Sequence, residues 1–349
     1  SINKRIKLIM AYTTINKSRD FFSPTLYSGT GAIQTVSGVG FEPSWIWTKS
    51  RTNAGNHQVT DQVRGLTKYI RPNATNAEDT KTNAITAVNS DGFVLGADSS
   101  NDINASGQTY ASWSWKANGA GSSNTDGSIT STVSVDTTSK CSIVKFTASG
   151  SGGTVGHGLG VAPKAIIFKR LDAASDWAFY HESLGNVNMC FLNTNTAAGS
   201  NASILNSTSP TSSVFTVGSS NIVTGGPVIA YCFAEVQGFS KVSSYIGNGD
   251  TDGMFIYTGF KPAWVLIKNT QANESWFLYD NKRGYNGSMA ALFPNETAAD
   301  AFANNIDLLS NGFKLKTAGA ILNSNATFIY TAFAAAPLVG SNDIPANAR

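Results

Sequence analysis

At 349 residues the chain has room for two or three domains of ordinary size. Charged residues make up only 13% of it, against roughly 25% in an average globular protein, so Ser, Thr, Asn and Gly carry much of its polarity. The net charge of +3 comes from 25 basic and 22 acidic residues, with Lys4, Arg5, Lys7, Lys17 and Arg19 near the start and the rest scattered through the body, not the clustered stripe that tracking phosphates requires, which excludes nucleic acid as a partner; no apolar run approaches the roughly 20 residues of a membrane span.

The N-terminal stretch, residues 1–24, reads as an arm. Its SINKRIKLIM start is basic but too short in apolar residues for a secretory signal. Met10 opens MAYTTINKS like a natural start, so the nine residues before it read as an extension.

From there the chain can be laid on itself three times. A first copy spans residues 25–117. It opens on Tyr27-Ser28-Gly29-Thr30-Gly31 and reaches GFEP, ending at Pro43, and WIWTK, ending at Lys49; Gly65 follows, then the polar turn before Phe93 and the closing YASWSW. A Gly/Ser/Asn/Thr stretch at 118–127 reads as a flexible linker.

The second copy, 128–236, repeats GVAP to Pro163, AIIFK to Lys169, Gly185, Phe215 and VIAYCF. The third, 237–336, has GFKP to Pro262, WVLIK to Lys268, Gly284, Phe313 and FIYTAF, and leaves a tail at 337–349. In each copy the lysine stands six residues after the proline and the glycine sixteen after the lysine.

Short apolar runs broken by Gly, Asn and Asp-Gly predict strands and tight turns. The expected fold is all-β: three tandem degenerate β-sandwich or jelly-roll repeats of about a hundred residues with at most short helices. WIWTK is apolar on both faces, so this strand is expected to be covered on both sides, inside its unit. The main helical expectation is 297–309, where Ala298, Phe302, Ile306 and Leu309 recur at helical spacing.

Candidate chemistry is sparse. Cys141, Cys190 and Cys232 have no metal-ligand spacing and read as small buried residues. His57 falls in the slot of Trp177 and Trp276, and His181 in that of Asp61 and Asp280, so both read as divergent members of structural positions. GHGLG at 156–160 reads as a turn. Asp250 and Asp252 in NGDTDG hint at calcium but lack the completing bidentate acid, so no metal or cofactor is expected. Trp45 or Trp113 could stack on a sugar ring, and Trp113, His57 and Asp61 are the candidates for glycan or receptor contact. The recurrent lysines are expected to serve the fold, for instance by pairing with Asp61 or Asp280.

Taken together, Y-x-G-x-G, GFxP-x-W-[IV], SW-[FL]-x-YD, SNGFxL and the YxxF close resemble a repeat domain of tailed-phage virion proteins, notably of marine phages, known as tail-fibre or structural proteins with a concanavalin-like lectin flavour. SSNTDGSITSTVS and STSPTSSVFTVG are similar to phrases of that family. The resemblance implies a virion location on a tail or surface appendage, other virion proteins as partners, and contact with a host-surface glycan or protein. It implies no catalytic residues. A symmetric homo-oligomer, a trimer in first place, is expected of a repeating appendage. The alternatives are a capsid decoration or surface-filament subunit and a lectin-like adhesin; a depolymerase ranks last, because Asp and Glu show no recurrent paired spacing.

Overall fold

Val, Ile, Thr and aromatic residues in short runs between Gly and Asn favour pleated pairing over helix. The structure, a computed structural model, describes residues 12–100 and 102–340. It is nearly all β, and Ala202–Leu205 is the one α-helical turn among the described residues.

One four-strand order occurs in three segments of the chain. An opening strand (Phe22–Ser28, Cys141–Ala148, Ser240–Ile246) pairs with a closing strand (Thr109–Trp115, Gly226–Phe233, Thr327–Pro337). The closing strand pairs with a lysine strand (Trp45–Ser50, Ala165–Arg170, Phe260–Asn269), and that strand forms a hairpin with Gln58–Asp61, Ala178–His181 or Phe277–Asp280. The register also recurs, with Trp45 opposite Trp115, Ala165 opposite Phe233 and Trp264 opposite Phe333.

Each four-strand sheet is covered on one face by a smaller sheet. The covers are Gln34–Val36 with Gly92–Leu95, Gly153–Gly156 with Val214–Val217, and Phe255–Tyr257 with Gly312–Leu315. Phe93, Phe215 and Phe313 sit opposite Val36, Val155 and Ile256 in these ladders and are fully buried.

The other face is covered by the neighbouring copies. Trp45, Trp47 and Trp115 of the first sheet, Ile167, Tyr231 and Phe233 of the second, and Trp264, Leu266 and Phe333 of the third belong to one continuous apolar cluster. Trp45 stacks on Trp115 at 4.0 Å and on Tyr231 at 4.4 Å between ring centroids. The WIWTK strand is therefore covered on both sides, but only one side lies inside its own unit.

The fixed glycines have a backbone reason. Gly65, Gly185 and Gly284 take φ of 95°, 74° and 85°, in the left-handed region that side chains with a Cβ resist. Each ends the turn that follows the hairpin strand.

Three local expectations are corrected. Residues 297–309 form no helix: Ala301–Ala303 and Ile306–Leu309 are strands. Ile306 and Leu308 alternate into the core while Phe302 is exposed, so a period of two overrides the helical spacing. The 118–127 linker holds a strand, Ser122–Asn124, which pairs with Ser131–Asp136 and extends the second sheet to eight strands. The arm ends inside the first sheet, because Phe22 and Ser23 already pair with Trp115 and Ser114. Residues 1–11 and 341–349, which include the expected extension and most of the tail, lie outside the described residues.

Candidate functional site

The recurrent polar residues meet where the copies touch. Lys169 Nζ donates to the Thr75 carbonyl of the first copy at 2.9 Å and to the Ser175 carbonyl at 2.8 Å. Lys268 Nζ donates to Asn195 O of the second copy at 3.0 Å and to Glu274 O at 2.7 Å. Lys49 donates to Ser50 O at 2.7 Å, and beside it Gly55 N bonds Thr297 O of the third copy. The expected pairing of these lysines with Asp61 or Asp280 is thus replaced by backbone carbonyls. Burial pulls each of the three ammonium groups down to about 8, which still leaves it protonated at neutral pH.

Asp61 and Asp280 are taken by arginines three residues on. Arg64 Nε lies 2.6 Å from Asp61 Oδ2, Arg283 Nε lies 2.6 Å from Asp280 Oδ2, and all four side chains are buried. Each carboxylate also accepts from another copy: Tyr231 Oη donates to Asp61 at 2.7 Å and Trp113 Nε1 to Asp280 at 2.9 Å. His181 fills the same slot in the second copy and reaches Tyr330 O of the third at 3.1 Å.

The third recurrent slot closes the same ring in the opposite sense. Trp177 Nε1 donates to Ala74 O of the first copy, Trp276 Nε1 to Phe191 O of the second, and His57 Nε2 lies 3.0 Å from Phe293 O of the third. The backbone N–H of each of these residues is held by an asparagine, Asn193, Asn295 or Asn73. Copy one thus contacts copy three, two contacts one, and three contacts two, as units around a common axis must.

Trp113, His57 and Asp61 are therefore interior residues with partners already in place, and offer no surface to a glycan or receptor. Trp45 is buried in the central cluster. Asp250 and Asp252 lie on an exposed turn, where Asp250 Oδ1 accepts from Asp252 N and Asp252 pairs with Lys314 at 2.7 Å. No cluster of three potential metal ligands occurs among the described residues. The three cysteines are free and buried, and burial raises their thiols, Cys190 to about 12.

Two sets of structural residues escape the proline-lysine-glycine spacing: the arginines of D-x-x-R-G at Asp61 to Gly65 and Asp280 to Gly284, and the asparagines just named. Both recur in the sequence. The arginine signal is broken in the second copy, where Leu184 replaces Arg, and the asparagine falls 16 residues after the slot in two copies and 19 after it in the third.

The histidines share one hydrogen-bond logic. Nδ1 of His57 accepts from Trp47 Nε1, that of His181 from Ser183 N and that of His157 from Leu159 N, while each Nε2 faces a carbonyl. This pattern fits the neutral Nε2–H tautomer, and a proton on Nδ1 would destroy the accepted bond. Burial lowers all three, His181 from 6.5 to about 4. Between those values the unfolded chain binds protons that the folded chain refuses, so stability falls as pH drops from about 6.5 toward 4; His181 alone accounts for about 3 kcal/mol. Urea midpoints at pH 7, 5.5 and 4.5 should decline, and His181→Gln, which can accept and donate at the same places, should flatten the slope. An unchanged slope in that variant would place the acid sensitivity elsewhere.

With this geometry in place, the family comparison is decisive for membership. The model of a domain of unknown function, DUF7483, matches residues 17–337. The chain belongs to that family. The match runs through all three copies and the ring between them, so the DUF7483 domain takes in the whole three-sheet body, not one hundred-residue unit. No curated protein and no solved structure matches the chain.

Proposed function

We propose that this DUF7483 chain is a non-enzymatic structural protein of a tailed-phage virion, carried on the tail or a fibre, with its outer loops meeting the host surface. The observation that carries the reading is the fate of the recurrent polar residues: Lys169, Lys268, Asp61, Asp280 and the Trp/His slot each bond from one copy to another, and Lys49 is buried against its own strand's Ser50 carbonyl. A body built this way is a rigid mount whose surface loops and covers can vary for recognition without disturbing the core.

Other virion proteins would be its fixed partners, and a symmetric homo-oligomer, a trimer in first place, its assembly. Gold-labelled antibody against this chain on purified particles should mark the tail. Label on the capsid would favour the decoration reading, and absence of the chain from purified particles by mass spectrometry would remove the proposal altogether.

A further inference from the structure

The exposed aromatic residues are not spread over the three copies. Phe255, Tyr257, Tyr285 and Phe302 are the exposed Phe and Tyr side chains among the described residues, and all four lie in the third copy. Two of them stand on the cover strand Phe255–Tyr257, 42% and 54% exposed, flanking the inward Ile256. The register through Phe93, Phe215 and Phe313 gives their counterparts as Thr35 and Ser37 in the first copy, and Thr154 and Gly156 in the second. Folding of the cover does not require aromatics there, since the other two copies do without them.

Alternate strand residues share a face and stand about 7 Å apart. The Phe255 ring reaches over Gly312, where an added Cβ would come within 2.9 Å of its Cζ. Tyr257 lines a cleft of about 360 Å³ together with Tyr12, Glu235, Gln237, Lys241 and Thr258, a volume in the range of small-ligand sites. Tyr12 Oη donates to Gly259 O at 2.9 Å and lies 3.4 Å from Tyr257 Oη, which ties the two rings to the cleft wall. At the other end, Lys314, directly opposite Phe255, holds Asp252.

We propose that this face of the third copy, from Phe255 across Tyr257 into the cleft, is a binding site for a glycan, with the two rings as stacking platforms for pyranose rings. An aromatic face takes the C–H side of a sugar, while carboxylate, amide, ammonium and hydroxyl groups beside it take the hydroxyls. The apolar surface is two rings wide and is interrupted by the Asp252–Lys314 pair, too little for a stable protein interface of about 800 Å² per partner. The site deepens the host-contact reading and rests on it for its biological meaning, though not for its test.

The full chain is applied to an array of bacterial lipopolysaccharide and capsule oligosaccharides, and the strongest binder is titrated by calorimetry. The double substitution Phe255→Thr and Tyr257→Ser, which installs the first copy's residues, should weaken affinity at least about tenfold without moving the urea midpoint. Phe302→Thr, an exposed aromatic elsewhere on the same copy, should change nothing. The site is overturned if no oligosaccharide binds above background, if the double variant keeps its affinity, or if the variant instead alters sedimentation, which would make the face a contact between copies of the chain. Any of these with gold label still on the tail sinks the glycan site alone; an unlabelled particle sinks the virion reading and leaves the titration standing.

Discussion

Arg283→Leu is expected to lower stability by about 3–5 kcal/mol, because it strands a buried carboxylate. Asp280 would keep the Trp113 indole and two backbone N–H donors but lose its ion pair at 2.6 Å. Asp300, the second partner of Arg283, retains Arg51 at 2.8 Å and is less affected. The second copy shows how the chain does without the pair: its counterparts are His181 and Leu184, so acid and arginine are replaced together. The double variant Asp280→His, Arg283→Leu should therefore be more stable than Arg283→Leu alone, with the neutral imidazole accepting from Trp113 as His57 accepts from Trp47 at 2.9 Å. Urea denaturation of the two variants decides the matter, and a double variant weaker than the single one would refute the account.

Trp115→Ala should cost about 3–5 kcal/mol, the usual range for deleting a large buried ring. Its ring lies 4.0 Å from Trp45, 4.8 Å from Phe22, 5.7 Å from Phe333 and 5.8 Å from Trp264, so the cavity would open among residues of the first and third copies beside Phe233 of the second. Because all three sheets share this cluster, the intact chain should unfold in one calorimetric transition and the variant should shift that transition whole. Units with private cores would unfold separately. Two resolved transitions in the native protein would show that the central cluster does not couple the copies.

Much of the body was legible from the repeat. Where a residue type is demanded by backbone geometry, as at Gly65, Gly185 and Gly284, its spacing survives divergence and can be counted. The apolar strands were equally plain, since burial on both faces leaves no polar alternation. The helical reading of 297–309 failed because Ala298, Phe302 and Ile306 match a period near four by coincidence, and only the strand pairings, Phe302 with Ala290 and Ile306 with Leu315, separate the exposed ring from the inward side chain. The linker reading of 118–127 failed for a related reason: Ser and Asn are poor strand formers in isolation, yet Ser122–Asn124 takes its place because a partner strand offers its edge.

The candidate site shows the same division more sharply. Trp113, His57 and Asp61 looked suited to ligand contact because large aromatic and titratable residues are common in binding sites, and one dimension does not say which side of a strand faces another copy. All seven tryptophans prove to be buried. Phe255 and Tyr257, by contrast, carry no motif and stand out only once the register gives Thr35, Ser37, Thr154 and Gly156 as their counterparts in the other two copies.

The sequence by itself determined the β character, the tandem copies and the fixed turns, because strand propensity, left-handed glycines and short-range spacing are local properties. Only the tertiary structure decided that the copies close into a ring around one aromatic core, which polar groups are consumed in holding it, and which faces remain outside. Those outcomes depend on hydrogen bonds and ring contacts between residues far apart in the chain, such as Tyr231 with Asp61 and Trp113 with Asp280, and no local pattern encodes them.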